Sequence, residues 1–227
     1  MMLHLERALL LIAFTIGVLA QSPPTHFEGK RIILSKDQLD DPGQAIGNKA
    51  AYVCLEAQPE NRCYTAPEEY IRSAKVQLVQ LNPSSQALLF SAESYGVSGW
   101  KFFYSMLQLD SKGQFKELFD SNPTLSSRST LGWIADPSIS VAPTFVTFDA
   151  VIGVGETSPE PHRCMVSVYV YVRPEWSDDP RYVFADQFLT VKKYDFYTTE
   201  VLLSEKPEIL SRLKRVLAEW RNRSKLQ

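Results

Sequence analysis

The chain has 227 residues, 44 % of them hydrophobic, with 24 basic and 26 acidic side chains for a formal charge of −2. That hydrophobic content excludes disorder as the main state, and the near-balance of charge excludes a dedicated nucleic-acid binder, which shows a basic excess. The length suits one domain, or one domain with appendages.

Residues 1–20 read as a secretory signal peptide. Arg7 precedes an apolar run from Ala8 to Ala20, and Val18-Leu19-Ala20 supplies the small residues that precede a cut, so cleavage is expected before Gln21. The alternative is an uncleaved anchor, but the run is only 13 residues, and a span needs about 20. A lipoprotein would carry cysteine where Gln21 stands, so no lipid anchor is expected. No later segment is long and apolar enough to span a bilayer. The expected localisation is secreted or periplasmic.

Residues 21–29 contain Pro23-Pro24 and are expected to be an extended lead. From 30 to 200 the pattern is mainly β. The expected strands are 30–35, 75–81, 86–92, 100–109, 114–119, 145–154, 163–172 and 181–193. About eight strands predict an antiparallel sandwich or half-propeller-like body. Residues 67–73 read as a helical turn, and 120–142 as a loop. One phrase recurs: strand, strand, glycine-containing loop, long strand, Asp-rich turn, returning strand. Its two copies would be 75–119 and 143–194.

Export makes a disulfide expected. Cys54 and Cys63 flank Pro59-Glu60-Asn61, which reads as a turn that brings the two sulfurs together. A continuous helix would hold them about 13 Å apart. The short loop closed by this bridge is worth about 2–3 kcal/mol on the chain-entropy model. Cys164 is then left over.

The stretch His162-Arg163-Cys164 raises the question of a reactive pair. Cys164, Val166, Val168, Val170 and Val172 alternate with Arg163, Met165, Ser167, Tyr169 and Tyr171. Strict period two puts Cys164 on the valine face, where a thiol is a small core hydrophobe. Nucleophilic catalysis needs a thiolate, a base and an orienting group; zinc needs three or four ligands. After cleavage only His26 and His162 remain as histidines, far apart in the chain. A core cysteine is therefore expected, with no catalytic residue, no metal site and no cofactor.

The aromatic group Tyr95, Trp100, Phe102, Phe103 and Tyr104 could stack a sugar, although aromatics in a long strand are normally core. Phe102 and Tyr104 share a face and Phe103 points the other way. A ligand site is placed where Tyr95, Trp100 and the loop around Glu156 approach each other. Glu93, Asp149, Glu156 and Asp186 are candidates for the paired carboxylates of a glycoside hydrolase, though no spacing singles them out. No GxSxG, HExxH, Walker or dinucleotide motif is present. Asn222-Arg223-Ser224 forms a glycosylation sequon.

Residues 204–227 predict an amphipathic helix. Ile209, Leu210, Leu213, Val216, Leu217 and Trp220 recur at helical spacing, with Ser204 as N-cap and basic residues gathered toward the end. Docking on the sheet is expected. Membrane or acidic-partner binding by the basic face is the alternative.

Residues 79–90 (VQLNPSSQALLF) resemble a degenerate form of the phrase found in FG-GAP/VCBS-type β-propeller repeats of exported bacterial proteins. That resemblance implies a blade-like antiparallel arrangement and export. In the family, turn aspartates bind calcium. Gln80, Pro83 and Ser84 stand at those positions here, so no calcium is expected from this turn. FDAVIGV (148–154) is the second candidate copy, with Asp149 as its only reminiscent acid.

The reading is an exported, non-catalytic binding or structural protein of the cell envelope or exterior. Its partner would be an envelope protein or a glycan, not a nucleic acid. The alternatives are a small exported hydrolase using the 93–99 and 155–161 loops, and a membrane-surface protein using its basic helix.

Overall fold

A computed structural model describes residues 23–35, 50–68, 71–96, 99–119, 124–125, 130–140, 142–157, 160–174, 177–195 and 200–223. The expected signal peptide, its cleavage point and Ser224 of the sequon lie outside the described residues.

Thirteen strands and one helix occur among the described residues, so the protein is mainly β, and the expected count of eight is too low. The first sheet runs β1 (His26–Phe27), β2 (Lys30–Leu34), β3 (Tyr52–Leu55) and β4 (Arg62–Thr65). The central sheet runs β5 (Arg72–Asn82), β6 (Ser85–Gly96), β7 (Gly99–Leu109) and β8 (Phe115–Glu117), with β9 (Thr124–Leu125) also paired to β7. The third runs β10 (Thr130–Ile134), β11 (Thr144–Val151), β12 (His162–Val172) and β13 (Arg181–Tyr194). Neighbouring strands are antiparallel throughout. The stretches 75–119 and 143–194 fall on the central and third sheets. The third sheet takes a further strand, β10, from before residue 143.

The strands missed in the sequence are short. β1, β3, β4 and β9 have two to four residues, too few for a period to register. β10 lies inside the stretch expected to be a loop. Arg72 and Ser73, expected to end a helical turn, open β5 instead.

Alternation explains the layering, because successive side chains of a strand point to opposite faces. On β6, Leu88, Phe90 and Ala92 face the first sheet and pack with Phe27, Val53 and Leu55. Ala87 and Leu89 face the third sheet and pack with Phe145, Tyr169 and Tyr182. The central sheet is therefore buried on both sides. On β12 the valines face away from the central sheet. They pack under α1 (Glu200–Arg223) with Val201, Ile209 and Leu213. The layers run sheet, sheet, sheet, helix.

Local chemistry sets the joints. Cys54 and Cys63 are cross-strand partners on β3 and β4 and form a disulfide. The β7–β8 turn is held by Asp110 Oδ1, which accepts from the amides of Lys112 (2.9 Å) and Gln114 (2.8 Å). Gly113 follows at φ +70°, a conformation that favours glycine. Tyr64 donates from β4 to the Glu117 carboxylate on β8, joining the first two sheets. In β13 the register slips between the pairs Val168–Asp186 and Tyr169–Phe184, leaving Ala185 as an extra residue. This bulge lets Val183 and Phe188, five apart in sequence, both reach the helix side.

The helix starts at Glu200, four residues before the expected first residue, so Ser204 is inside it and is not an N-cap. Val201, buried against the third sheet, lies in that added turn. Ser204 instead accepts from Lys192 Nζ at 3.2 Å. Residues 224–227 lie outside the described residues. The helix docks as expected, and no helix of the described residues is long and apolar enough to cross a membrane.

Candidate functional site

Three places carry chemistry or a concave surface. The first is the loop between β11 and β12. Glu156 Oε2 accepts from the Gly153 amide at 2.8 Å and from His162 Nδ1 at 2.9 Å, while Oε1 accepts from Lys193 Nζ at 2.6 Å. The Lys193 ammonium, the Gly153 amide and the His162 ring together hold the Glu156 carboxyl down at about 2, from an ordinary 4.5. An ionised carboxylate only accepts, so His162 carries its proton on Nδ1. His162 is 0 % exposed, and a base sealed from solvent has no route to a substrate proton.

This arrangement makes the loop pH-sensitive in one direction. A carboxyl whose folded value is depressed contributes stability above its unfolded value and loses it as pH falls through the folded value. The contribution of Glu156 is thus complete above about pH 5 and fades between 4.5 and 2. The expected result for Glu156→Gln is a melting-temperature deficit that is constant above about pH 5 and shrinks toward pH 2. Thermal melts of both proteins across that range check it. A deficit unchanged at pH 2 would show that the charge does not matter.

The second place is Cys164, two residues along the same strand. Burial, then the charges of Glu205 and Asp149, push its thiol up to about 11. Its Sγ lies 4.0 Å from the His162 carbonyl oxygen, and the histidine ring is committed to Glu156. The two side chains are therefore not a nucleophile and its base. At pH 8 about one thiol in a thousand is ionised. Iodoacetamide should leave the folded chain unmodified and add one equivalent once the disulfide-intact chain is unfolded in urea. Rapid native labelling would contradict the buried position.

Two of the other three candidate acids are also matched with cations. Glu93 pairs with Lys75 at 2.9 Å, and Asp186 meets Arg212 at 3.4 Å. Arg212 in turn pairs with Glu208 at 2.6 Å and lies 4.4 Å above the Phe188 ring. A glycoside hydrolase needs two cooperating carboxyls at one opening, whereas Glu93, Glu156 and Asp186 each sit against a basic group. Among the described residues no group of three or more His, Cys, Asp or Glu is placed to hold a metal.

The backbone makes Tyr95 and Trp100 cross-strand partners near the β6–β7 hairpin tip, and their side chains lie outside the described residues. The contacts of Glu156 are with Gly153, His162 and Lys193, none of which is on β6 or β7. Phe102 and Tyr104 do stack on one face, with centroids 6.3 Å apart, while Phe103 is core on the other.

The third place was not anticipated. A groove of about 600 Å3 opens where the edge strand β5 of the central sheet passes the 133–143 segment of the third. Gln77 to Gln80 form one wall; Trp133, Pro137 and Pro143 belong to the other, with Pro83 at the β5–β6 turn. Leu78 is 37 % exposed there. Trp133 is held edge-on to Phe145, centroids 5.3 Å apart, so a packed core ring fixes its orientation. The only sequence signal was a tryptophan followed by prolines, in a stretch read as a loop.

No protein-family model matches the chain, and no match was found among curated proteins or solved structures.

Proposed function

We propose that this chain is an exported, non-catalytic binding protein whose ligand seats in the groove between β5 and the 133–143 segment. The carrying observation is the groove itself: about 600 Å3 bordered by Trp133, Leu78 and three prolines. Concave, mostly apolar openings with a few polar groups are where ligands bind. The ion pairs of Glu93, Glu156 and Asp186 favour binding over hydrolysis. The apolar stripe of α1, already spent on the third sheet, weighs against membrane attachment by that helix. Export is supported by the Cys54–Cys63 disulfide and by the likeness of residues 79–90 to repeats of exported bacterial proteins.

The test immobilises the full chain and offers it envelope extract and extracellular polysaccharide. Retained material is identified by mass spectrometry and glycan analysis. A component held by the native chain and lost by both Trp133→Ala and Leu78→Lys, each shown folded by its melt, is the expected result. Retention indifferent to both variants, or no specific retention, overturns the assignment of the groove.

A further inference from the structure

We infer that the groove takes an extended peptide of a partner protein as an added strand on β5, an inference that rests on the binding reading above. The first reason is the wall. Four consecutive residues, Gln77 to Gln80, line the groove. A sheet face presents every second residue, so a consecutive run means that the strand shows its edge. β5 pairs with β6 on one side, and among the described residues no backbone hydrogen bond reaches its outer side at 77–80.

The second reason is what the polar side chains are already doing. Gln80 Nε2 donates to the Asn82 and Ser85 carbonyls, and Gln80 Oε1 accepts from Gln86 at 2.9 Å. Asn82 Oδ1 accepts from Ser84 twice, at 3.0 Å each. Asp136 Oδ1 accepts from the Ser138 amide (2.9 Å) and hydroxyl (2.7 Å). A sugar would need such side chains facing outward. The capacity that remains along the β5 wall is its backbone and the Gln77 side chain. Across the groove, the Asp136 carbonyl is folded into its own turn, accepting from Ile139 and Ser140, and Pro137 and Pro143 have no N–H to offer. The facing wall supplies the Trp133 ring of β10 and two prolines beside the turned backbone at Asp136.

The third reason is the absence of the usual guards. Edge strands are normally blunted by charges, prolines or bulges. From Val76 through Ala92 the sequence carries no charged residue. Register irregularities occur only toward the two ends of β5, between Arg72 and Lys75 and between Gln80 and Asn82. The regular span 75–80 between them has room for a partner strand of about 20 Å. Such a strand would turn one set of alternate side chains toward Trp133, on the third-sheet face, and the other set toward Leu78, on the opposite face.

The test pans a displayed library of random dodecapeptides on the full chain. The best binder is then synthesised with N-methyl groups on alternate residues, in both registers. Strand addition predicts that one register loses affinity about tenfold or more, the scale of one net hydrogen bond, and that the other changes little. Binding is also lost in Trp133→Ala and in Leu78→Lys, and β5 amides within 75–80 become protected from exchange. Equal binding of both N-methyl series overturns the proposal in favour of side-chain contacts alone. A library with no Trp133-dependent binder also overturns it; if oligosaccharides then bind in a Trp133-dependent way, the groove reading survives and strand addition does not. A dimer of the native chain that Leu78→Lys dissociates would make the occupant a second copy and overturn the partner peptide.

Discussion

Tyr182→Ala should destabilise the chain by about 3–5 kcal/mol, the range for deleting a large buried ring. Tyr182 is 0 % exposed and stands where the central and third sheets meet. Its ring lies 5.4 Å from Phe119, 5.3 Å from Tyr171 and 6.3 Å from Phe145. Its amide donates to the Leu118 carbonyl at 2.5 Å, and its hydroxyl donates to the Pro143 carbonyl at 3.1 Å. Burial pushes the phenol well above its ordinary value, so the hydroxyl stays a donor at any working pH. Tyr182→Phe keeps the ring and should cost only about 1 kcal/mol, the hydrogen bond alone. Urea unfolding of both variants separates the ring from the hydroxyl. A cost below about 1 kcal/mol for the alanine variant would mean that other contacts join these two sheets.

The second large effect lies on the opposite face of the third sheet. Ile209 and Leu213 are both 0 % exposed, one turn apart on α1, and pack on the valine face of β12. Each change to alanine should cost about 2–5 kcal/mol. They share neighbours, so the double variant need not equal the sum. Lys214→Ala, an exposed change beside them, should cost less than about 0.5 kcal/mol. The contrast tests which face of the helix matters, and it separates docking from membrane attachment. If the apolar stripe served lipid, Ile209→Ala would leave the melt unchanged and abolish vesicle binding.

Legibility in the sequence followed period and length. β12 was readable because each of its faces is buried by a different layer and its alternation is unbroken over eleven residues. β13 was readable as a strand, but its faces were not, because the bulge at Ala185 shifts the period midway. The Cys54–Cys63 bridge was readable because a local turn decides it. Ser204 misled because a good capping residue is only a local preference, and burial of Val201 outweighs it. Glu156 looked available because it sits in a loop. Lys193, 37 positions later, claims it, and only the β12–β13 register brings them together. The groove was invisible for the same reason: Leu78 and Trp133 belong to different sheets, and no local pattern records their approach.

The order of strands carries a consequence for how the molecule is made. In each sheet's main path, neighbours in space are neighbours in the chain: β1 to β4, β5 to β8, β10 to β13. Such a chain can assemble vectorially, each meander closing from short-range contacts as it emerges from a ribosome or a translocation pore. The central sheet gains its second cover only when the third arrives, and the valines of β12 stay wet until α1 lands on them. During that interval the nascent molecule carries a broad sticky surface. A holdase that shields apolar strands, acting until α1 docks, is the helper such a synthesis schedule calls for.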